Sequence, residues 1–221
     1  MDGRDTIDWD GYWRGDVDGG PMDAAASSDT VEYLVRFVGE VGVPRSFAAV
    51  GCGEGAVPAT VASEYPETEV WGYDVSESVI DRNRSQYGAQ ENLSFGVASL
   101  PETGIDRQFG VVYCYATLPY VRDVELALRD LYSLVEPGGY LVVNYPNEEF
   151  CETYAEGIEE GTPLYRRFEL VCNRVNEISR DRIATLLGVP AHDYWDFVDA
   201  PDDVHGALSW YPCVYVQKPP D

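Results

Sequence analysis

The chain has 221 residues, enough to bury a core without disulfide or metal staples, and its 45% apolar content excludes wholesale disorder. A formal charge of −24, from 39 acids against 15 bases, repels nucleic acid and anionic membranes, so neither is an expected partner. No stretch free of Asp, Glu, Lys and Arg exceeds 14 residues, and the acidic start MDGRDTIDWD lacks an apolar signal region, so a cytoplasmic protein is expected.

Residues 1–26 are rich in Asp and Gly, yet Trp9, Tyr12 and Trp13 give the segment apolar surface with which to dock. A helix follows. Ser27 or Ser28 can cap it, Val31, Leu34, Val35, Val38 and Val41 keep spacings of three and four, and Gly42 and Pro44 end it. Strands and helices then alternate. SFAAV (46–50) predicts a buried strand, a glycine turn opens a helix over 54–64, and TEVWGYD (68–74) predicts the next strand. Ser76 caps a helix to residue 87, and LSFGV (93–97) is a third strand. FGVVYCYA (109–116) is nearly all apolar, as in a central parallel strand covered on both faces. A helix over 123–135 carries Val124, Leu128, Leu131 and Val135 on one stripe, and Pro137-Gly138-Gly139 turns the chain into YLVVNY (140–145). This alternation predicts one doubly wound α/β sheet.

After Pro146 the pattern changes. Residues 147–160 predict a very acidic helix, and 162–178 fits no single element. Ser179 caps a short helix through Leu187, closed by Gly188 and Pro190, and DYWDFVDA (193–200) and WYPCVYVQ (210–217) read as a final hairpin of two strands. No linker or repeat divides the chain, so a single domain is expected. The five cysteines are never closer than 21 residues, and only His192 and His205 supply imidazoles, so neither a zinc site nor a redox site is expected.

The turn Gly51-Cys52-Gly53-Glu54-Gly55 joins the first strand to its helix. Without Cβ atoms the backbone can pass close to a ligand, and the helix N-terminus offers N–H groups to an anion. Asp74 ends the next strand 23 residues after Gly51, where a carboxylate can accept hydrogen bonds from both hydroxyls of a ribose. Together they predict a nucleoside-containing cofactor; the alternative is a tight structural turn beside a solvated aspartate. Gly51-x-Gly53-x-x-Ala56 also satisfies a relaxed dinucleotide fingerprint and keeps a nicotinamide oxidoreductase open, although no second mononucleotide half follows.

The ordered stretches AVGCGEG, VWGYDVSESVI, FGVASLPE, FGVVYCYATLPYVRD and LRDLYSLVEPGGYLVV resemble the class I S-adenosylmethionine-dependent methyltransferases over residues 30–145. The resemblance implies an α/β fold: a doubly wound, mostly parallel seven-stranded sheet with an antiparallel last strand. It implies S-adenosyl-L-methionine as cofactor and methyl transfer as activity. In those terms 1–26 is a cap segment, 27–146 the cofactor-binding core, 147–192 an acceptor-side insertion and 193–221 the C-terminal hairpin. Carried over, Gly51, Cys52, Gly53 and Gly55 line the methionine portion, Asp74 holds the ribose, and Val75 packs on the adenine. Val97 and Ala98 fall in the adenine-binding stretch, and Tyr115 and Ala116 face the sulfonium and the acceptor. No Asn-Pro-Pro-Tyr or Asp-Pro-Pro-Tyr follows the fourth strand, which with the negative field implies a small-molecule acceptor. Three family acids are absent, their places taken by Ala49, Gly96 and Gly110. These absences motivate a second reading, a domain that keeps the fold but serves as a catalytically silent binding or partner subunit.

Methyl transfer from a sulfonium is an in-line displacement that alignment and desolvation accelerate without a protein nucleophile, so no catalytic residue is assigned. Tyr12, Trp13, Tyr115 and Tyr145 are the candidate acceptor-binding residues, expected with Tyr120 to converge at the carboxyl ends of the strands, where their rings can attract a cation. His192 and His205 read as surface or loop histidines. Arg14 could meet the methionine carboxylate or stay an ordinary surface arginine. Arg166 and Arg167 could receive an acidic acceptor, but balancing the acids of 148–160 is favoured. Lys218 is the only lysine, and the acids are spread along the whole chain. This balance resembles halophile proteomes, and at 1 M salt, where the Debye length is roughly 3 Å, the repulsion is screened.

Overall fold

In the computed structural model, which describes residues 7–16, 28–201 and 211–220, the chain begins with α1 (Trp9–Arg14) and α2 (Ser28–Val41). It continues through β1 (Ser46–Val50), α3 (Ala56–Glu64), β2 (Glu69–Asp74), α4 (Glu77–Tyr87), β3 (Leu93–Val97) and β4 (Phe109–Cys114). A 3-10 turn (Leu118–Tyr120) leads to α5 (Val124–Ser133) and β5 (Val135–Asn144). Then come α6 (Glu148–Gly157), α7 (Pro163–Arg167), α8 (Glu169–Cys172), α9 (Arg180–Leu187), β6 (His192–Asp193), α10 (Tyr194–Phe197) and β7 (Cys213–Gln217). The seven strands form one sheet in the order β3-β2-β1-β4-β5-β7-β6, with β3, β2, β1, β4 and β5 parallel and β7 antiparallel to both neighbours.

Local chemistry sets most boundaries. The Ser76 hydroxyl accepts from the Val79 N–H and opens α4; Ser179 does the same for α9, which Gly188 closes at φ +71°. Every residue of β1 is buried, as the centre of a doubly covered sheet requires. The strand faces feed two cores. Phe47, Val111, Tyr113 and Val142 pack with α2, α3, α4 and α10, while Val50, Val112, Cys114 and Val143 pack with α5 and α9.

Several expectations need correction. Residues 193–200 are not a strand: after two residues of β6, the Asp193 carboxylate accepts from the N–H groups of Trp195 and Asp196 and starts α10 instead. The predicted hairpin survives only as the antiparallel β6–β7 pair. β4 stops at Cys114, because Ala116 turns to φ +54°. The Pro137-Gly138-Gly139 segment does not precede β5 but lies inside it, at a register shift between Phe109 and Val111. Gly139 is what permits this, since a Cβ there would sit 2.6 Å from the Gly110 carbonyl oxygen. Residues 162–178 contain two short helices, the first capped by the Thr162 hydroxyl. Ser27 lies outside the described residues.

Candidate functional site

The glycine turn is held from beneath by backbone bonds and from both sides by side chains. Gly51, Gly53 and Gly55 have φ of +76°, +51° and +78°, conformations in which other residues are strained. The N–H groups of Gly51 and Cys52 donate to the Tyr73 carbonyl at 2.8 and 2.9 Å, tying the turn to the end of β2. The Gly53 N–H donates to Asp74 Oδ2 at 3.0 Å, and its carbonyl accepts from Asn83 Nδ2 at 2.8 Å. The other Asp74 oxygen accepts from the Ser76 N–H at 3.0 Å. Asp74 is only 6% exposed. Burial pushes its pKa up, against the lowering effect of the N–H groups of Ser76, Gly53 and Val75.

Two of the glycines are demanded by neighbouring side chains. A Cβ at Gly51 would overlap the side chain of Thr117, and one at Gly55 would lie 3.0 Å from both Asn83 Nδ2 and the Phe95 ring. Asn83 and Thr117 were not singled out from the sequence. The only signal for Asn83 was a polar residue on the buried stripe of α4, where Val79 and Ile80 also point inward.

Past Asp74, Val75 is half-buried and Val97 is 51% exposed at the end of β3, an apolar surface beside the buried carboxylate. Ala98 is buried, its N–H donating to the Asp74 carbonyl at 2.9 Å. The missing acids have separate explanations. At Gly96 a side chain would meet the Tyr73 ring at 2.9 Å, so that space is already filled. Gly110 lies at the opposite end of the sheet from the turn, where its N–H donates to Ser46 Oγ and a Cβ would meet Pro44 at 2.8 Å. Its missing carboxylate therefore removes nothing from the site. Ala49 is buried in β1 beside Tyr113.

α1 is fastened over this edge from the start of α4. Asp10 Oδ1 accepts from Ser76 Oγ at 2.6 Å and from the Ser78 N–H at 3.1 Å, and these bonds lower its pKa. Arg82 donates to the Trp13 carbonyl at 3.3 Å and pairs with Glu54 of the turn at 3.7 Å. Tyr12 and Trp13 are buried as expected, and Trp9 meets Tyr120 edge-on at 4.9 Å. From Tyr120, ring contacts run through Phe168, Tyr154, Phe150 and Tyr211 to Tyr115. Tyr115 is 3% exposed and also stacks on Tyr113, so in this conformation its ring is part of that core.

Tyr145 does not join the other three acceptor candidates. It belongs to the opposite core with Ile178, Ile183 and Leu186, because, one residue past the end of β5, it keeps the parity of Val143. Arg167 also departs from expectation: it is buried, with its guanidinium 4.8 Å from the Tyr12 ring centroid, while Arg174 pairs with Glu148 and Glu152 of α6. Arg14 pairs with Asp16 at the surface. His192 is exposed and stacks on Tyr215, and His205 lies outside the described residues.

The segment after β4 is the most constrained at this edge. Ala116, in the left-handed region at about 1 kcal/mol or more for a residue with a Cβ, donates its N–H to Asn144 Oδ1 at 3.3 Å. Asn144 is fully buried and donates in turn to the Pro212 carbonyl at 3.0 Å. Asn176, also buried, donates to the carbonyls of Leu118, Pro119 and Val121 at 3.0, 2.9 and 3.1 Å.

Residues 48–141 match the family model described as a methyltransferase domain. A trans-aconitate 2-methyltransferase of Methylobacterium radiotolerans is 31% identical over 104 residues, 47% of this chain and 39% of that protein. A malonyl-[acyl-carrier protein] O-methyltransferase of Ilyobacter polytropus is 23% identical, again over 47% of this chain and 39% of the relative. The matched stretch thus spans about two fifths of the length of these relatives. Nodulation protein S of Bradyrhizobium diazoefficiens is 26% identical over 161 residues, 71% of this chain and 73% of that protein. Among solved structures, the N-methyltransferase NodS of Bradyrhizobium japonicum with S-adenosyl-l-homocysteine aligns at a TM-score of 0.59 and 15% identity, covering 89% of each chain. Magnesium protoporphyrin IX methyltransferase of Synechocystis, also with that product bound, aligns at 0.60 and 16%, covering 94% of this chain and 93% of its own.

The sheet order and the antiparallel β7 give the protein the class I methyltransferase fold. The matched segment contains the glycine turn, Asp74, Val97 and β4.

Proposed function

We propose that this protein transfers the methyl group of S-adenosylmethionine to a small-molecule acceptor. The observation that carries the reading is the Gly53–Asp74 bond, which sets a buried carboxylate against a glycine turn at the carboxyl edge of the sheet. The residues fit the cofactor. Asp74 Oδ2 accepts from the Gly53 N–H and Oδ1 from the Ser76 N–H, and a carboxylate has about four lone-pair sites, so it can still accept from ribose hydroxyls. Val75, exposed Val97 and Ala98 offer an apolar edge for adenine, and Gly51, Cys52, Gly53 and Gly55 a backbone lip for the methionine portion. Bound there, the cofactor supplies an activated methyl group, and the chain's own contribution is orientation and exclusion of water.

The relatives named for trans-aconitate and malonyl-[acyl-carrier protein], together with the −24 charge, support a small acceptor over nucleic acid. Tyr12, Trp13 and Tyr115 are assigned to the acceptor side; Tyr145, on the other face, is dropped from that set. The nicotinamide alternative is disfavoured by β7, which runs antiparallel where a second mononucleotide half would continue parallel. Among the described residues no helix is long and apolar enough to cross a membrane. We also assign the whole chain to one domain working in a salt-rich cytoplasm, on the strength of the charge and of Lys218, the only lysine, whose ammonium is spent internally on the Val135 carbonyl.

Calorimetry with S-adenosylmethionine, S-adenosylhomocysteine and NAD in 2–3 M KCl tests this reading. Binding of both sulfur compounds and not of NAD is expected; binding of neither refutes it. Turnover across an acceptor panel separates the active enzyme from a silent binding domain. Melting at 50 mM and at 2 M KCl tests the salt assignment, which falls if stability is unchanged.

A further inference from the structure

We propose that Asn83 is a positioning residue for cofactor binding: its amide fixes the Gly53–Glu54 peptide of the glycine turn in its binding orientation before any ligand arrives. The inference rests on the cofactor reading above and adds to it a residue of α4 that acts through the turn.

Packing alone would not place an asparagine here. Asn83 is fully buried on the stripe of α4 where Val79 and Ile80 are also buried. Taking an amide out of water is unfavourable unless both its ends find partners, and this one is only half satisfied. Its Nδ2 donates to the Gly53 carbonyl at 2.8 Å, while its Oδ1 has no hydrogen-bond partner among the described residues. An apolar side chain would suit the stripe better. What the amide supplies is a donor, and the group that takes it belongs to the turn.

That bond completes the fixing of Gly53. Its N–H, part of the Cys52–Gly53 peptide, donates to Asp74 Oδ2 at the end of β2, and its carbonyl, part of the next peptide, is held from α4. The two peptides flanking one Cα are thus anchored on different elements, which removes both backbone rotations of a glycine held at φ +51°. A trans peptide sets its C=O and N–H on opposite sides, so a Gly53 carbonyl drawn toward α4 turns the Glu54 N–H away from it. Asn83 bears on the third glycine as well, since Nδ2 lies 3.0 Å from the place of a Gly55 Cβ. A turn ordered in advance loses little freedom on binding, and the difference appears as affinity.

The test sets dissociation constants for S-adenosylhomocysteine beside melting midpoints, on the full chain at fixed salt, with calorimetry run well below the lowest midpoint so that only folded protein binds. Asn83→Ala removes the donor; Asn83→Asp keeps the shape but sets a carboxylate oxygen against the Gly53 carbonyl. Each is expected to weaken binding by about five- to tenfold, the size of one lost hydrogen bond. Ile80→Ala removes apolar contacts from the same stripe and should lower the midpoint while leaving affinity within about twofold. An asparagine with only a structural role behaves like Ile80, so affinity unchanged in both Asn83 variants overturns the inference. An equal loss of affinity in Ile80→Ala overturns it too, because any loosening of α4 would then be felt at the turn. Where one Asn83 variant does not fold the other carries the test, and failure of both to fold assigns the amide to stability and ends the proposal. In each of these cases the unaltered protein still binds and the cofactor reading stands. If the unaltered protein binds neither S-adenosylmethionine nor S-adenosylhomocysteine, the cofactor reading itself falls, and this inference with it.

Discussion

The two sides of the sheet's carboxyl edge are built by different means. On the side of β1, β2 and β3 the site is made of backbone: three glycines at positive φ, N–H groups turned onto the Tyr73 carbonyl and the Asp74 carboxylate, and one amide from Asn83. On the side of β4, β5 and β7 it is made of rings from distant segments, Trp9 on Tyr120, Phe150 on Tyr211 and Tyr115 on Trp195. A backbone site demands particular residue types at fixed spacing, whereas a packed ring site accepts many combinations of shape. On the proposed function, the backbone side would hold the cofactor and the ring side would meet the acceptor.

This contrast can be broken most forcefully at Phe150, which is fully buried between Tyr154 and Tyr211. Phe150→Ala should cost about 3–5 kcal/mol of stability in denaturant melts, with S-adenosylhomocysteine affinity of the folded protein held within about twofold if the two sides are independent. A tenfold loss of affinity would show that they are one unit.

Gly51→Ala attacks the backbone side. Positive φ and overlap with Thr117 should together cost about 2–4 kcal/mol and abolish cofactor binding in the same calorimetric assay. Adding Thr117→Ala should recover the part of the stability loss due to overlap and leave the part due to φ. Full additivity of the two changes would mean that the side chains never meet.

Asp74→Ala should weaken cofactor binding by about 1.5–3 kcal/mol, the loss of hydrogen bonds to a charged group. The raised pKa fixes a sign as well. A carboxyl whose pKa is higher folded than unfolded opposes folding once it is ionised, so the parent should lose stability relative to Asp74→Ala as pH rises through the acid range. Cofactor affinity of the unaltered protein should fall as pH drops through the raised pKa, since the protonated carboxyl accepts hydrogen bonds poorly. Affinity independent of pH across the acid range would argue against a ribose contact.

The smallest effect is expected far from the site. Glu69 and Arg107 form a bidentate pair at 2.9 and 2.8 Å, with the guanidinium also over Trp71 and Phe109. The pair lowers the Glu69 pKa to about 2, with the Arg107 bonds the largest cause and the Trp71 N–H next. Both side chains are part-exposed, so solvent screening limits Arg107→Ala to under about 1 kcal/mol. A depressed folded pKa stabilises above the unfolded value of 4.5 and ceases to as pH falls from there toward 2, so the gap between variant and parent should shrink between pH 7 and pH 2.5.

The legibility of the molecule follows the same division. β1 and β3 have the bounds predicted for them, and Ser76, Ser179 and Gly188 mark the helix ends they were expected to mark, because a cap or a left-handed turn is a property of one residue and its near neighbours. The Gly51–Gly55 turn and Asp74 were legible for the same reason. Residues 193–200 alternate like a strand yet form a helix once Asp193 caps it and Tyr194 and Trp195 find the core. Neither the face taken by Tyr145, nor the inward turn of Arg167, nor the amides at Asn83, Asn144 and Asn176 leaves any periodic trace.

By itself the sequence determined the order of strands and helices from α2 to β5, the glycine turn with its aspartate, and the net charge, since each depends on local residue type or on a sum over the chain. Only the tertiary structure decided that Thr117 lies against Gly51, 66 residues earlier, and that Asn176 holds the turn that follows Thr117. Contacts at such separations depend on how the sheet stacks its loops, and no spacing rule along the chain encodes that.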